Sequence, residues 1–227
     1  MNFYNAPQLS GPAVNPQLDC ARIEAEYFRS GPGIVHLDDF LTTEALRELR
    51  RFCLESTIWF DFQHVGGYLG AYVEDGFICP LLTQIARELP RALPAIFGDH
   101  AITHLWGYKY DSSLKGIGVH ADFAAVNVNF WITPDAANLA QERGGLVVWD
   151  REAPLDWDFG AYNQDVPRIR RFLESAGARP VTVPYRQNRA VIFNSDLFHQ
   201  TDELRFRPGY ENRRVNVTML YGYRAPK

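Results

Sequence analysis

Short apolar segments separated by glycine and proline fill the chain from residue 101 to residue 223, and they constrain the fold more than any other feature. Eight segments have the length and the β-branched or aromatic content of strands: 102–110, 117–122, 126–133, 145–149, 180–184, 189–194, 198–201 and 214–223. Many short strands with Gly and Pro turns are typical of a sandwich or barrel. The sequence therefore predicts a mainly β core over 101–223, with one insertion at 150–178 that contains a helix.

The first hundred residues predict helices that support this core. Thr42 is a suitable N-cap for a helix over 43–56, with Glu44 in its first turn and apolar residues at helical spacing behind it. The other elements predicted here are an extended arm over residues 1 to about 17, a strand over 33–37, and helices over 19–29 and 79–90, the last ended by prolines. Because no linker separates the two parts, we expect residues 1–227 to form a single α+β domain.

The segment 57–77 mixes aromatic residues with glycines at 66, 67 and 70. Such a segment predicts either a mobile aromatic lid over a site or a β-hairpin that covers the end of the core. Under the first interpretation Trp59, Tyr68 and Tyr72 would contact a substrate, together with Trp131 from the core.

Composition restricts the class of protein. The chain has 227 residues, 46% of them apolar, and a formal net charge of −4, so it can bury a core and has no basic block for nucleic acid. Three widely spaced cysteines form no Cys-x-x-Cys unit, which indicates free thiols in a reducing compartment. We find no signal peptide and no apolar run that could span a bilayer, so we expect a soluble cytoplasmic protein that does not bind membranes. The oligomeric state is not indicated.

His120 and Asp122 are candidate metal ligands. They are two positions apart in a segment rich in β-formers, and residues i and i+2 of a strand point to the same face. His199 supplies a third candidate ligand much later in the chain. Two histidines and one carboxylate form the facial triad of non-haem Fe(II) oxygenases, which leaves coordination positions open.

Two strands alternate polar and apolar residues. Their polar faces carry Asn127, Asn129 and Trp131 in one strand, and Arg214, Asn216 and Thr218 in the other. Such faces either meet solvent or line a cavity in which polar groups orient a ligand. The nearby triad favours the cavity. Arg213 would then point to the opposite, apolar face.

In sequence order, these residues resemble the motifs of the 2-oxoglutarate- and Fe(II)-dependent oxygenases, with a prolyl-hydroxylase-like layout. His120-Ala121-Asp122 resembles the His-x-Asp motif, and His199 resembles the distal histidine. The segment 214–218 resembles the Arg-x-(Asn/Ser)-x-Thr strand that binds the far carboxylate of 2-oxoglutarate. Tyr110 resembles a tyrosine that bonds the same carboxylate, and Gly144-Gly145 resembles the Gly-Gly pair before the fourth core strand.

The resemblance implies a double-stranded β-helix, the jelly-roll and cupin-like fold, with N-terminal supporting helices. It implies Fe(II), 2-oxoglutarate and O₂ as cofactors, with ascorbate as an in vitro reductant. The implied metal ligands are His120, Asp122 and His199, and the implied 2-oxoglutarate ligands are Arg214, Tyr110, Asn129 and Asn216. The implied reaction hydroxylates an unactivated carbon of a small molecule or a protein side chain, with succinate and CO₂ as co-products. Because members that halogenate lack the carboxylate ligand, Asp122 implies oxygen transfer.

Alternatives remain at the level of the sequence. A cupin-type dioxygenase or isomerase would use a metal without 2-oxoglutarate, and a non-catalytic binding domain would keep only the barrel. The first class usually binds its metal through three or four histidines and needs no arginine on the last strand. The spacing from His199 to Arg214 is slightly long for the prolyl-hydroxylase pattern, so Arg205, Arg207 and Arg213 compete for the arginine role.

Overall fold

A computed structural model describes residues 2–29, 31, 33–63, 67–110 and 116–224. Its α-helices are α1 (Cys20–Arg29), α2 (Thr43–Glu55), α3 (Pro80–Ala92), α4 (Pro94–Phe97) and α5 (Val166–Ser175). Its strands are β1 (Ile34–Leu37), β2 (Asp61–Gln63), β3 (Tyr68–Tyr72), β4 (Ile102–Tyr110), β5 (Val126–Trp131), β6 (Leu146–Glu152), β7 (Pro180–Val183), β8 (Ala190–Asn194), β9 (Leu197–Thr201) and β10 (Arg214–Tyr221). In the described part of the chain, no helix is both long and apolar enough to cross a bilayer.

Two antiparallel sheets form a double-stranded β-helix. The larger sheet has the strand order β1-β8-β5-β10-β4-β3-β2, and the smaller has the order β7-β6-β9. One face of the larger sheet packs against apolar residues of α1 to α4, which form the largest hydrophobic core. The other face turns toward the smaller sheet and borders the cavity described below. The predicted fold class is therefore confirmed.

The alternation in β10 separates these two environments. Val215, Val217 and Met219 pack into the helical core, whereas Arg214 lies on the cavity side. All eight residues of the strand are buried. The polar face of β10 therefore lines a cavity and does not meet solvent.

The predicted helix over 43–56 is confirmed as α2. The Thr42 hydroxyl accepts a hydrogen bond from the backbone N–H of Ala45 at 3.3 Å, as expected of an N-cap. Leu49 and Phe52 on its inner face are fully buried. The helix thus supports the sheet through the face that the apolar spacing predicts.

The end predicted for α3 at Pro90 is wrong, because the helix continues to Ala92. A proline inside a helix cannot donate to the carbonyl four residues earlier, here that of Ala86. The Tyr221 hydroxyl donates to this carbonyl instead, at 3.0 Å. A hydrogen bond from β10 therefore satisfies the group that Pro90 leaves without a donor, and the sequence of α3 alone does not reveal it.

The segment 57–77 contains a β-hairpin and not a separate lid. β2 pairs with β3, and β3 pairs with β4, so the hairpin extends the larger sheet. His64 and Gly66 of this segment lie outside the described residues.

The strand predicted over 117–122 is also wrong, since only one bridge pairs it with the smaller sheet, between His120 and His199. The next two backbone N–H groups bond elsewhere. Ala121 donates to the Tyr162 carbonyl at 2.9 Å, and Asp122 donates to the Ser195 carbonyl at 3.1 Å. These bonds lead the chain out of the sheet immediately after His120.

We predict that Tyr221→Phe lowers the free energy of unfolding by about 1–2 kcal/mol, because the buried Ala86 carbonyl loses its donor. The ring contact of Tyr221 with Phe97 would be kept. Urea denaturation measures the effect. Tyr223→Phe, at a side chain 69% exposed, is the matched control and should change little. Equal stability of the two variants would contradict this explanation of the long helix.

Candidate functional site

The three predicted metal ligands lie together. His120 and His199 exchange backbone hydrogen bonds of 2.9 and 2.8 Å, which places the two residues side by side. The Asp122 backbone is held by Ser195, which precedes β9. One ligand atom from each of the three side chains lies within 4.8 Å of the other two, and no other described group of His, Cys, Asp and Glu residues meets this condition.

The hydrogen bonds of the two rings point their free nitrogens toward Asp122. Nδ1 of His120 lies 2.8 Å from the Gly118 carbonyl, and Nδ1 of His199 lies 3.0 Å from the Leu197 carbonyl. A carbonyl only accepts, so each Nδ1 donates and each Nε2 keeps its lone pair. The two Nε2 atoms lie 3.7 and 3.5 Å from the Asp122 oxygens. Ligands bonded at about 2.1 Å to one ion are separated by about 3–3.5 Å, so a cation fits with a small adjustment.

The charge state of the site also suits a cation. Burial, with a smaller contribution from His199, lowers the pKa of His120 to about 4, so the ring is neutral at neutral pH. Burial raises the pKa of the Asp122 carboxyl, but the two nearby histidines and the hydrogen bond from Asn127 lower it overall. The site therefore combines an uncharged imidazole with an ionised carboxylate, as metal binding requires.

A row of amides fixes the Asp122 carboxylate. Asn127 donates to Asp122 Oδ2 at 2.7 Å, and Asn129 donates to Asn127 Oδ1 at 2.6 Å. Asn216 and Thr218 both donate to Asn129 Oδ1, at 2.8 and 3.0 Å. Because an ionised carboxylate only accepts, it sets the direction of every amide behind it.

Arg214 lies in the same cavity and is 1% exposed. Its Nε donates to the Gly144 carbonyl at 2.7 Å, and its Nη2 donates to the Gly145 carbonyl at 3.2 Å. Its carbon Cζ lies 4.8 Å from the ring centre of Tyr110. Nη1 is buried and has no hydrogen-bond partner among the residues that the structure describes. A buried guanidinium with an unpaired donor is the group that a carboxylate ligand would satisfy.

The two glycines are required at this point. A Cβ on Gly145 would lie 1.9 Å from the Val183 carbonyl oxygen, so only glycine allows β6 to begin there. Asp202, which is buried, accepts from the Gly144 backbone at 3.1 Å and holds the turn. The Gly-Gly pair and Asp202 thus present the two carbonyls that orient Arg214.

One cavity of about 430 Å³ joins the triad to Arg214. Tyr110 lines it beside Arg214, and its hydroxyl lies 3.4 Å from that of Thr201. Tyr68 and Tyr72 of the hairpin line the cavity as well. Arg213, the alternative arginine that directly precedes β10, is not among its lining residues.

The predicted amides line the cavity but are already hydrogen-bonded. Asn216 donates to both Asn129 and Thr218, so neither N–H remains for a carboxylate. Its Oδ1 is buried without a partner. This arrangement gives Asn216 an acceptor toward the cavity, not the donor that the predicted 2-oxoglutarate contact requires.

Two residues predicted to contact substrate do not line the cavity. Trp131 is fully buried, 5.3 Å from Arg214 Cζ, and forms the floor beneath the guanidinium. Trp59 lies on the helical side of the sheet, where Lys109 Nζ is 4.4 Å from its ring centre. Lys109 is fully buried, and burial lowers its pKa to about 7. Adjacent residues of a strand point to opposite faces, so Lys109 of β4 points away from the cavity. Trp59 covers it on that side.

Some site residues were not predicted from the sequence. Asn127 holds the Asp122 carboxylate, and Asp202 holds the Gly144 turn. The insertion adds three cavity residues, Phe159, Asn163 and Val166. Asn127 shares the polar face of β5 with Asn129, so the alternation did mark it. The insertion had no comparable signal, because its position over the cavity depends on long-range packing.

We predict that Asn127→Leu lowers the affinity for Co(II) by about 10–100-fold, because the carboxylate ligand loses its orienting donor. Calorimetric titration of the metal-free protein measures it. Asn212→Leu, in the 3₁₀ turn Tyr210–Asn212 before β10 and outside the cavity, is the control. Unchanged Co(II) affinity in the Asn127 variant would show that the amide row does not support the site.

Comparison with known proteins gives structural matches only. No protein-family profile and no curated protein matches the sequence. The structure is similar to SnoN, a non-haem α-ketoglutarate-dependent epimerase from nogalamycin biosynthesis, with TM-score 0.62 and 15% identity over 91% of this chain and 85% of that one. It is also similar to a Trichoplax adhaerens prolyl hydroxylase in complex with a hypoxia-inducible-factor peptide, with TM-score 0.58 and 14% identity over 89% of each chain.

A third similar structure is HygX from Streptomyces hygroscopicus, solved with nickel, 2-oxoglutarate and hygromycin B, with TM-score 0.56 and 11% identity over 92% of this chain and 87% of that one. At sequence identities this low, the structural similarity shows the fold alone. The argument about chemistry rests on the site residues of this chain. The chain therefore has the double-stranded β-helix fold of the 2-oxoglutarate- and Fe(II)-dependent oxygenases, and its His-Asp-His triad fits the iron site of that superfamily.

Proposed function

We propose that this protein is a 2-oxoglutarate- and Fe(II)-dependent oxygenase that hydroxylates an unactivated carbon, with succinate and CO₂ as co-products. The observation that carries the proposal is the unpaired Nη1 donor of Arg214, buried in the cavity that also contains the His-Asp-His triad. The triad is suited to bind a cation, and the guanidinium is suited to bind an anion. A dicarboxylate with a metal-chelating keto acid at one end satisfies both.

His120, Asp122 and His199 would hold the iron through two Nε2 atoms and one carboxylate oxygen. Three protein ligands leave coordination positions open for a co-substrate and for O₂. When bound, Fe(II) and 2-oxoglutarate supply the oxidising chemistry. The chain holds the ligands in place through the backbone bonds between the histidines and through Asn127.

Arg214 would hold the far carboxylate of 2-oxoglutarate. Its guanidinium stays charged when buried and pairs with a carboxylate through two parallel bonds. The Gly144 and Gly145 carbonyls fix its Nε edge, so the other end of the fork remains for the ligand. The rings of Tyr110 and Trp131 pack against the guanidinium.

The choice of hydroxylation rests on Asp122. Halogenating members of the superfamily lack the carboxylate ligand, and this chain has it. Among similar structures, one is described with a peptide and another with hygromycin B, so both a peptide and a small molecule fit this fold. We propose that a small molecule or a protein side chain is the substrate here.

The competing functions have less support. A cupin-type enzyme without 2-oxoglutarate gives no reason for a buried Arg214 in the metal cavity. It would also usually use more histidines than the two found in the described triad. A pure binding domain needs neither three convergent ligands nor a row of amides to orient one of them.

We predict that Arg214→Ala weakens 2-oxoglutarate binding by about 100-fold or more while metal binding persists, because the far carboxylate loses its buried charge partner. Calorimetry with Mn(II) in place of iron measures both affinities. Arg214→Lys keeps the charge but not the planar fork, and should bind 2-oxoglutarate with intermediate affinity.

Arg213→Ala is the neighbouring control, and it should leave 2-oxoglutarate affinity within about twofold of the wild type, since opposite faces of the strand are involved. A large loss in the Arg213 variant with none in the Arg214 variants would contradict the assignment.

The reaction itself is tested by succinate formation with Fe(II), 2-oxoglutarate and ascorbate. We predict turnover by the wild type and none by Asp122→Ala, because one of the three metal ligands is lost. Asp99→Ala, at an exposed carboxylate outside the cavity, should behave as the wild type. Equal turnover in the Asp122 variant would exclude the triad as the metal site. Mass spectrometry of a converted substrate should show one added oxygen atom.

A further inference from the structure

An aromatic surface lines the cavity that contains the metal ligands. We call it the aromatic wall, and it consists of Tyr72 from β3, of His104, Trp106 and Tyr108 from β4, and of Phe123. Neither the metal ligands nor the Arg214 site uses it.

The wall is continuous. Trp106 lies 6.1 Å from Tyr108 and 6.4 Å from Tyr72, measured between ring centres. His104 lies 6.5 Å from Trp106 and 4.6 Å from Phe123. Side chains that alternate along one face of β4 thus form a single surface of rings.

Strand register places the wall at the level of the metal. Trp106 is opposite Thr218 in β10, and Thr218 is opposite Asn129 in β5. Asn129 bonds the amide that holds Asp122, and Phe123 directly follows Asp122. Tyr110, at the other end of β4, is opposite Arg214. The wall therefore borders the space beside the metal and not the space beside Arg214.

The described lining of this space carries little charge. Apart from Asp122 and Arg214, no Lys, Arg, Asp or Glu is among the cavity residues that the structure describes. Besides the His104 imidazole, the polar groups of the wall are neutral donors, namely Nε1 of Trp106, which has no partner among the described residues, and the hydroxyls of Tyr72 and Tyr108, which are 3.2 Å apart. A cation could rest on such rings. The charges of Fe(II), the Asp122 carboxylate, the 2-oxoglutarate dianion and Arg214 cancel, however, so the site has no net charge that favours an ionic substrate.

The insertion adds further residues to the lining of this space. Phe159, Asn163 and Val166 line the cavity from the π-helix Gly160–Gln164 and its flanks. The centre of the Phe159 ring is 6.2 Å from that of Phe123. Rings at this distance, tilted by 57°, contact each other, so Phe159 continues the wall through Phe123 and adds to the ring surface on which a flat molecule can stack.

We propose that the substrate carries an uncharged planar ring system that stacks on the aromatic wall and so presents the carbon to be oxidised to the metal. This inference rests on the proposed function, since it assigns the substrate class of the same site. Stacking of a ring on Trp106 and Phe123 would orient the substrate, and the neutral donors would bond its oxygen atoms.

The test compares probes by calorimetry with the protein loaded with Mn(II) and 2-oxoglutarate. The planar probe is 2-naphthol, and its saturated counterpart is decahydro-2-naphthol, which has the same skeleton without ring faces. Benzyltrimethylammonium and a blocked Ala-Pro-Ala peptide represent a cationic and a peptide substrate. We expect 2-naphthol to bind about tenfold more tightly than each of the others.

Variants locate the binding. Trp106→Leu and Phe123→Leu should each lower the affinity for 2-naphthol by about three- to tenfold, with 2-oxoglutarate affinity unchanged. Phe62→Leu is the matched control, because Phe62 is 56% exposed on β2 and does not line the cavity. It should leave 2-naphthol binding unchanged.

Equal affinity for the saturated probe, tighter binding of the cation or the peptide, or no effect of either wall variant would overturn the inference. The proposed function has its own readout in the same experiment. If the Mn(II) protein does not bind 2-oxoglutarate but still prefers 2-naphthol, the proposed co-substrate is wrong and the proposed ring site is supported.

Discussion

The buried charge of Arg214 is the interaction on which the site depends. A guanidinium that is 1% exposed loses its hydrogen bonds to water, and burial is costly unless other groups replace them. The described residues replace only some of these bonds. Two glycine carbonyls and the faces of Tyr110 and Trp131 stabilise it, but Nη1 remains without a partner. Those carbonyls are placed by the close contact of Gly145 with β7 and by Asp202, which accepts a hydrogen bond from the Gly144 backbone. Most of the described contacts at this end of the cavity therefore hold one buried guanidinium in place.

The row of amides links this end to the triad. Its direction is set at Asp122, which can only accept, and it ends at the Asn216 oxygen, which receives no hydrogen bond. Because all its members are buried, a change in one amide would leave its neighbours unsatisfied. The same three strands, β5, β10 and β4, thus carry the metal support, the anion site and the aromatic wall on one face, while the opposite face packs on the helices.

Periodicity made much of this accessible from the sequence. Alternation in β5 and β10 identified the faces of Asn129 and Arg214, because a strand buried on both sides must send its polar residues to a cavity. The histidines and Asp122 could be grouped by their spacing and order. Features that depend on distant partners were not accessible. The continuation of α3 through Pro90 needs a hydroxyl from β10, and the departure of Asp122 from the sheet needs a carbonyl before β9. The position of Trp59 behind the sheet depends on its contacts with Cys53 of α2 and Lys109 of β4, which are distant in sequence or lie on another element.

The central claim is that one dicarboxylate spans the triad and Arg214. A crystal structure of the protein with Mn(II) and 2-oxoglutarate tests it most directly. The account predicts a metal bound by Nε2 of His120, Nε2 of His199 and one Asp122 oxygen, with the far carboxylate of the same 2-oxoglutarate molecule bonded to Arg214 Nη1. A metal bound elsewhere, or 2-oxoglutarate whose far carboxylate does not contact Arg214, would contradict it.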